Sequence, residues 1–304
     1  MKKATVFAIA LGMTALLISG LSCKKGPDLS KMEPIVVALG PSFDAAAAPK
    51  QFELLQKYLE TKVGKPFKFQ GFKTQKEFAD FVKEGKASFI YCTPIDFAEV
   101  ADGCIVLCKA NYPGYGSITH GVVIVKQGEA QKIRDVPAMK GSSIMVVSKN
   151  SLGGYLSQKM FFANNGLDID LDMNLSAAPT GKNDEVVAAV AGGQVEYGCV
   201  PWDIFPDKKP KGGAEVLTTT PNVPVDVFGF VEASGDKMLG GQVKNFLKEI
   251  PKDDPMLKPL GLTSFSLGTQ AEYDVVTNFL SEDKINKAQR QGQPAGTAAT
   301  GAKK

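Results

Sequence analysis

From Pro34 onward the chain alternates short apolar runs with longer segments of helical period. Ile35–Leu39 is an unbroken apolar run closed by Gly40-Pro41, the mark of a short buried strand. Between Lys50 and Val63 the apolar positions Phe52, Leu55 and Leu59 return every three or four residues, which predicts a helix. Pro66–Phe72 alternates and predicts a strand, Gln75–Lys83 puts Phe78, Phe81 and Val82 on one helical face, and Ala87–Tyr91 is a third strand ending at Thr93-Pro94. Strand–helix–strand–helix–strand predicts an α/β unit built on a parallel sheet.

A second unit follows Gly114-Tyr115-Gly116-Ser117. It holds predicted strands at Gly121–Val125 and Ser143–Val147, helices at Gly153–Phe162 and Asp184–Val190, and a strand at Val195–Val200. After Gly212-Gly213 come strands at Val216-Leu217 and Val225–Val231, then helices around Leu239–Leu247 and Gln270–Leu280. Asp283–Lys304 shows no periodicity and is expected to be disordered. No internal repeat suggests a solenoid.

The N-terminus reads as an address. Met1-Lys2-Lys3 is basic, Ala4–Leu21 is apolar apart from Thr5, Thr14 and Ser19, and Ser22-Cys23 precedes the polar Lys24-Lys25-Gly26-Pro27. This resembles a bacterial lipoprotein signal, with Cys23 the acylated residue; Gly20 stands where that signal usually has Leu. The alternative is an uncleaved anchor, since ~20 apolar residues span a bilayer. Residues 24–33 form a flexible tether on this reading.

In 304 residues, 22% charged and 44% hydrophobic, the net charge is +3, and Lys2, Lys3, Lys24, Lys25, Lys303 and Lys304 all lie near the ends. The near-neutral folded part argues against a nucleic-acid surface. Beyond Cys23, four cysteines remain: Cys92, Cys104, Cys108 and Cys199. Cys104 and Cys108 sit in one predicted strand, about 13 Å apart, too far to bridge. With no CxxC pair and a single histidine, His120, the set is expected to be structurally buried, with no metal and no cofactor. No Gly-x-Ser-x-Gly, Walker or HExxH pattern occurs, so an enzyme is not expected.

Four stretches carry a family resemblance: Ile35–Ser42 with the helix Leu54–Gly64; Gly85–Tyr91 with Thr93-Pro94 and Ala98; Val146–Tyr155; and Thr219–Phe230, with Tyr273 near the end. Their order resembles the phosphonate-binding subfamily of periplasmic binding proteins, receptors of ABC transporters, over Pro34–Leu280. The resemblance implies an α/β clamshell of two domains joined by a two-strand hinge. On this chain it implies one domain from residues 34–115 and 216–280, a second from 116–215, and crossings near Gly116–His120 and Gly213–Thr218. It also implies a small phosphorus oxyanion in the cleft, an ABC permease as partner, a monomer, and a lipid-anchored place in the periplasm or at the cell surface. An extracytoplasmic sensor of the same fold, or a homologue whose ligand is altered or lost, are the alternatives.

In that family the anion sits on a Ser-Thr-Ser-Gly turn at a helix N-terminus, where N–H groups and the helix dipole face it. The matching residues are Ser151, Leu152, Gly153 and Gly154, so two hydroxyls of the pattern are missing. The other reading makes Ser151 an ordinary N-cap and the glycines packing residues. Tyr91, Cys92 and Thr93 would line the other wall of the cleft or merely cap a turn; Ser42, after Gly40-Pro41, occupies the equivalent turn. Trp202, the only tryptophan, walls the cleft or belongs to the core. Asn183, between Lys182 and Asp184, stands where the family often has histidine and is a candidate donor, while His120 reads as structural.

Overall fold

The computed structural model describes residues 31–132 and 135–292. The expected signal at 1–23, Cys23 included, and most of the tether lie outside them. Two mixed sheets and one strand pair organise the chain.

The first sheet contains β1 (Ile35–Leu39), β2 (Phe67–Gly71), β3 (Phe89–Cys92), β4 (Cys104–Asn111), β12 (Val227–Val231) and β13 (Ser264–Leu267), in the order β13-β4-β12-β3-β1-β2. β1 runs parallel to β2 and β3, whereas β12 and β13 return antiparallel. Helices α1 (Ala48–Gln51), α2 (Glu53–Val63), α3 (Gln75–Lys83), α4 (Pro94–Phe97), α7 (Lys237–Glu249) and the start of α8 (Gln270–Arg290) accompany it. Strand alternation explains why both faces are covered: Val37, Leu39, Phe89 and Tyr91 enter one core, Ala38, Ile90 and Cys92 the other. At the start of α3, Thr74 Oγ1 accepts from Glu77 N (3.2 Å) while Glu77 Oε2 accepts from Thr74 N (3.2 Å), a reciprocal cap.

The second sheet contains β6 (Gly121–Lys126), β7 (Ser143–Val146), β8 (Asn174–Ala177), β9 (Tyr197–Pro201) and β10 (Ala214–Thr219), ordered β10-β6-β9-β7-β8. Its helices are α5 (Ser157–Asn164) and α6 (Asn183–Ala191). Between the sheets, β5 (Ile118–Thr119) pairs antiparallel with β11 (Val223–Pro224), the two crossings side by side.

Two expectations are corrected. The segment Gly213–Thr218 is not the second crossing: Ala214–Thr219 pairs with Val122–Lys126 as the edge of the second sheet, and the chain returns through 220–226. The tail is not disordered from Asp283, because α8 runs on to Arg290, held by ion pairs to the second domain. β8 and β13 are additional short edge strands, Asn-Leu-Ser-Ala and Ser-Phe-Ser-Leu, whose half-polar sequences give little strand signal. All four described cysteines are free and buried, and burial pushes the Cys104 and Cys108 thiols up to about 12. Among the described residues no helix is long and apolar enough to cross a membrane.

Candidate binding cleft

β7 ends in a turn that leads through Ser151 into a single wide π-helical turn, Leu152–Leu156, continued by α5. Ser151 caps it, its Oγ accepting from Gly154 N at 2.9 Å. The N–H groups of Leu152 and Gly153, in the first turn, have no acceptor within the helix. Both glycines are required by close approach. A Cβ on Gly153 would lie 2.8 Å from the His120 carbonyl oxygen and 3.1 Å from Pro201 Cβ; one on Gly154 would lie 2.7 Å from Ser151 Oγ and from Val147 Cγ2. Close packing therefore accounts for both glycines.

Behind the turn lies Gln158, fully buried, a residue the sequence reading passed over. Its Nε2 is 2.6 Å from the Gly153 carbonyl oxygen and 3.2 Å from those of Val122 and Val200, so it ties the turn to β6 and β9. Ser157 stitches the same helix to both crossings, through Gly121 N (3.3 Å) and the Thr220 hydroxyl.

In front of the turn is a cleft of about 280 Å³. Ser151, Leu152, Gly153, Asn183, Pro201 and Asp203 line it from the second domain; Tyr112, Tyr115, Thr119, Val225 and Asp226 line it from the crossings and the first domain. Four expected residues thus meet here: Ser151, Leu152, Gly153 and Asn183. Asn183 opens α6 on the cleft wall, and its Oδ1 is a buried acceptor without a hydrogen-bond partner. Gly154 sits buried behind them.

The other expected residues are placed differently. Thr93 caps α4, accepting from Asp96 N (3.3 Å) and donating to Asp96 Oδ2 (2.9 Å); Ser42 donates to the same oxygen at 3.0 Å. Ser42 and Thr93 thus join the turns after β1 and β3 through one buried acid, and neither is on the cleft lining. Tyr91 is buried in the first core, and its hydroxyl donates to Asp226 Oδ2 at 3.4 Å, one residue behind the wall. Trp202 stacks on His120, ring centroids 5.5 Å apart and planes 9° apart, and packs on the second core.

Asp226 is the residue the sequence reading missed that most changes the site. It is 5% exposed and accepts from the hydroxyls of Tyr112 and Tyr91. Burial pushes its carboxyl up to about 6; the two hydroxyls pull against that, and the charge of Asp96 adds to it. The signal was available, since Asp226 is a lone acid inside the apolar run Val223–Val231. The lining carries two carboxylates, Asp226 and Asp203, and no lysine, arginine or histidine.

The family model for the periplasmic phosphonate substrate-binding protein of ABC transporters matches residues 37–273. The chain belongs to this family. It is a family of binding proteins rather than enzymes, and this chain is the substrate-binding protein of a phosphonate-type ABC transporter. No curated protein matches the chain. Among solved structures, PhnD1 of Prochlorococcus marinus in complex with methylphosphonate is 14% identical, covers 84% of this chain and 100% of its own, and has a TM-score of 0.58. A binding protein component of an ABC phosphonate transporter from Pseudomonas aeruginosa is also 14% identical, with 89% and 91% coverage and a TM-score of 0.56. A Xanthomonas citri protein bound to ATP is 16% identical, with 82% and 98% coverage and a TM-score of 0.64. At these identities the structural likeness establishes the fold: an α/β periplasmic binding protein of two domains.

Proposed function

We propose that this receptor captures a small phosphorus oxyanion, a phosphonate, phosphite or phosphate, between the Ser151–Gly153 turn and Asp226, and delivers it to an ABC permease. The observation that supports this is that a helix N-terminal turn, Ser151–Gly153, and a buried carboxylate, Asp226, line one cleft. The N–H groups and helix dipole favour negative charge. Asp226, in contrast, repels a fully ionised ligand and accepts from a protonated one. An oxyanion that keeps one P–O–H satisfies both walls, its oxygens on the turn and its proton on Asp226. Leu152 and Gly153 supply no hydroxyl, so backbone donors and the Ser151 hydroxyl hold the ionised oxygens, and Asn183 Oδ1 accepts only from a P–O–H.

A melting screen tests this with phosphate, phosphite, methylphosphonate, aminoethylphosphonate, sulfate and several carboxylates. A ligand at 100 times its Kd stabilises the fold by about 2.7 kcal/mol. A response to one phosphorus oxyanion supports the reading. Response to carboxylates alone overturns it, and response to none favours a homologue that has lost its ligand. Membrane attachment through Cys23 belongs to the same proposal: Cys23→Ala should release the protein from the membrane fraction or leave its signal uncleaved, and a wild-type intact mass without acyl chains refutes it.

A further inference from the structure

The C-terminal helix α8 begins in one domain and ends on the other. Its first turns belong to the first domain: Tyr273 and Val276 are fully buried, and the Tyr273 hydroxyl donates to the Val225 carbonyl at 2.9 Å. Val276 then packs in a small cluster with Val223 of β11 and with Leu156 and Met160 of the second domain. That cluster sits where the two crossings pair, at the pivot of any relative movement of the domains. Beyond it, about 21 Å of helix reaches Arg290.

This arm contacts the second domain mainly through charge. Asp283 pairs with Lys159 at 2.7 Å, Lys287 pairs with Asp170, and Arg290 pairs with Asp172 at 3.1 Å. A cavity of about 400 Å³ remains between the arm and the 163–172 segment, so apolar packing does not seal it down. On its other side Lys284 pairs with Glu99 of the first domain at 2.5 Å. The same charges lead back to the binding turn: Lys159 also pairs with Asp170 (2.6 Å), and Asp170 accepts from the Tyr155 hydroxyl at 2.9 and 2.8 Å. Tyr155 immediately follows Gly154.

We propose that the arm of α8, Asp283–Arg290, is a strap from the first domain to the second that limits how far the cleft opens. A helix rooted in one domain and ion-paired to the other cannot follow both when they separate. Opening must break the Asp283, Lys287 and Arg290 pairs, and closing remakes them.

The test uses the full chain without ligand. The double variant Lys287→Gln/Arg290→Gln removes two of the arm's three links to the second domain and leaves Lys159 paired with Asp170 and Asp283. Small-angle scattering should show a larger radius of gyration than wild type, while amide exchange in β3, β6 and β9 stays as slow. Lys284→Gln, which frees the first-domain side only, should leave the radius unchanged. The proposal is overturned if the double variant keeps the wild-type radius while the arm's amides exchange freely. It is equally overturned if the radius grows only together with loss of protection in the second sheet, or grows as much in Lys284→Gln.

Discussion

Asp226 offers a prediction whose size and sign both follow from its surroundings. In the folded protein its carboxyl is held at about 6, against an ordinary 3.8, with burial the main cause. Between about pH 4 and 6 the native state therefore keeps a proton that the unfolded chain has released. Stability then falls as pH rises through this window, because the native state binds more protons there. At about 1.36 kcal/mol per pKa unit, the whole effect is roughly 3 kcal/mol. Asp226→Asn removes the titration while keeping an oxygen acceptor for Tyr112. Urea unfolding of both proteins at pH 4, 5, 6 and 7 isolates the contribution of this residue, since every other group, including the salt-bridged Asp170, is common to both. Wild-type stability minus that of the variant should fall by about 2–3 kcal/mol from pH 4 to pH 7. A flat or rising difference would show that Asp226 is ionised in the fold, with a partner the cleft does not display.

Two further substitutions probe the frame of the cleft. Gln158→Met removes the donor that serves the Gly153, Val122 and Val200 carbonyls while roughly keeping volume; stranding a buried acceptor costs about 1–3 kcal/mol, read as a lower urea midpoint, and an unchanged midpoint means the turn is held by something else. Lys159→Met leaves Asp170 and Asp283 with fewer partners in a buried network, so a loss of about 3–5 kcal/mol is expected; calorimetric unfolding at wild-type temperature would refute it.

Periodicity made the scaffold legible. Val37 and Leu39 against Ala38, or Phe89 and Tyr91 against Ile90 and Cys92, are apolar on both faces and read as buried strands. The turn at Ser151–Gly154 stood out because strand, cap, glycines and helix are contiguous. Half of the cleft did not stand out, because it is assembled from afar: Asp226 meets the Tyr112 hydroxyl across 114 residues and the Tyr91 hydroxyl across 135. Thr93 and Ser42 sat after the right strands, yet both turned toward Asp96, a buried acid local to Thr93 but 54 residues from Ser42, which takes both hydroxyls. The last two turns of α8 have no apolar period to read. Asp283, Lys287 and Arg290 are ordered by charges more than a hundred residues away, so the segment looked like a tail.

If the proposed function holds, the Ser151–Gly153 turn and Asp226 share one phosphorus oxyanion between them. The most direct measurement is isothermal titration of wild type, Ser151→Ala and Gly153→Val with the oxyanion that best raises the melting temperature, after circular dichroism confirms that the variants are folded. A hydrogen bond to a charged ligand is worth about 1.5–3 kcal/mol, so Ser151→Ala should weaken binding by roughly 10- to 150-fold. Gly153→Val, whose side chain would press on the His120 carbonyl and Pro201, should abolish it. Unchanged affinity in both variants would place the ligand somewhere other than this turn.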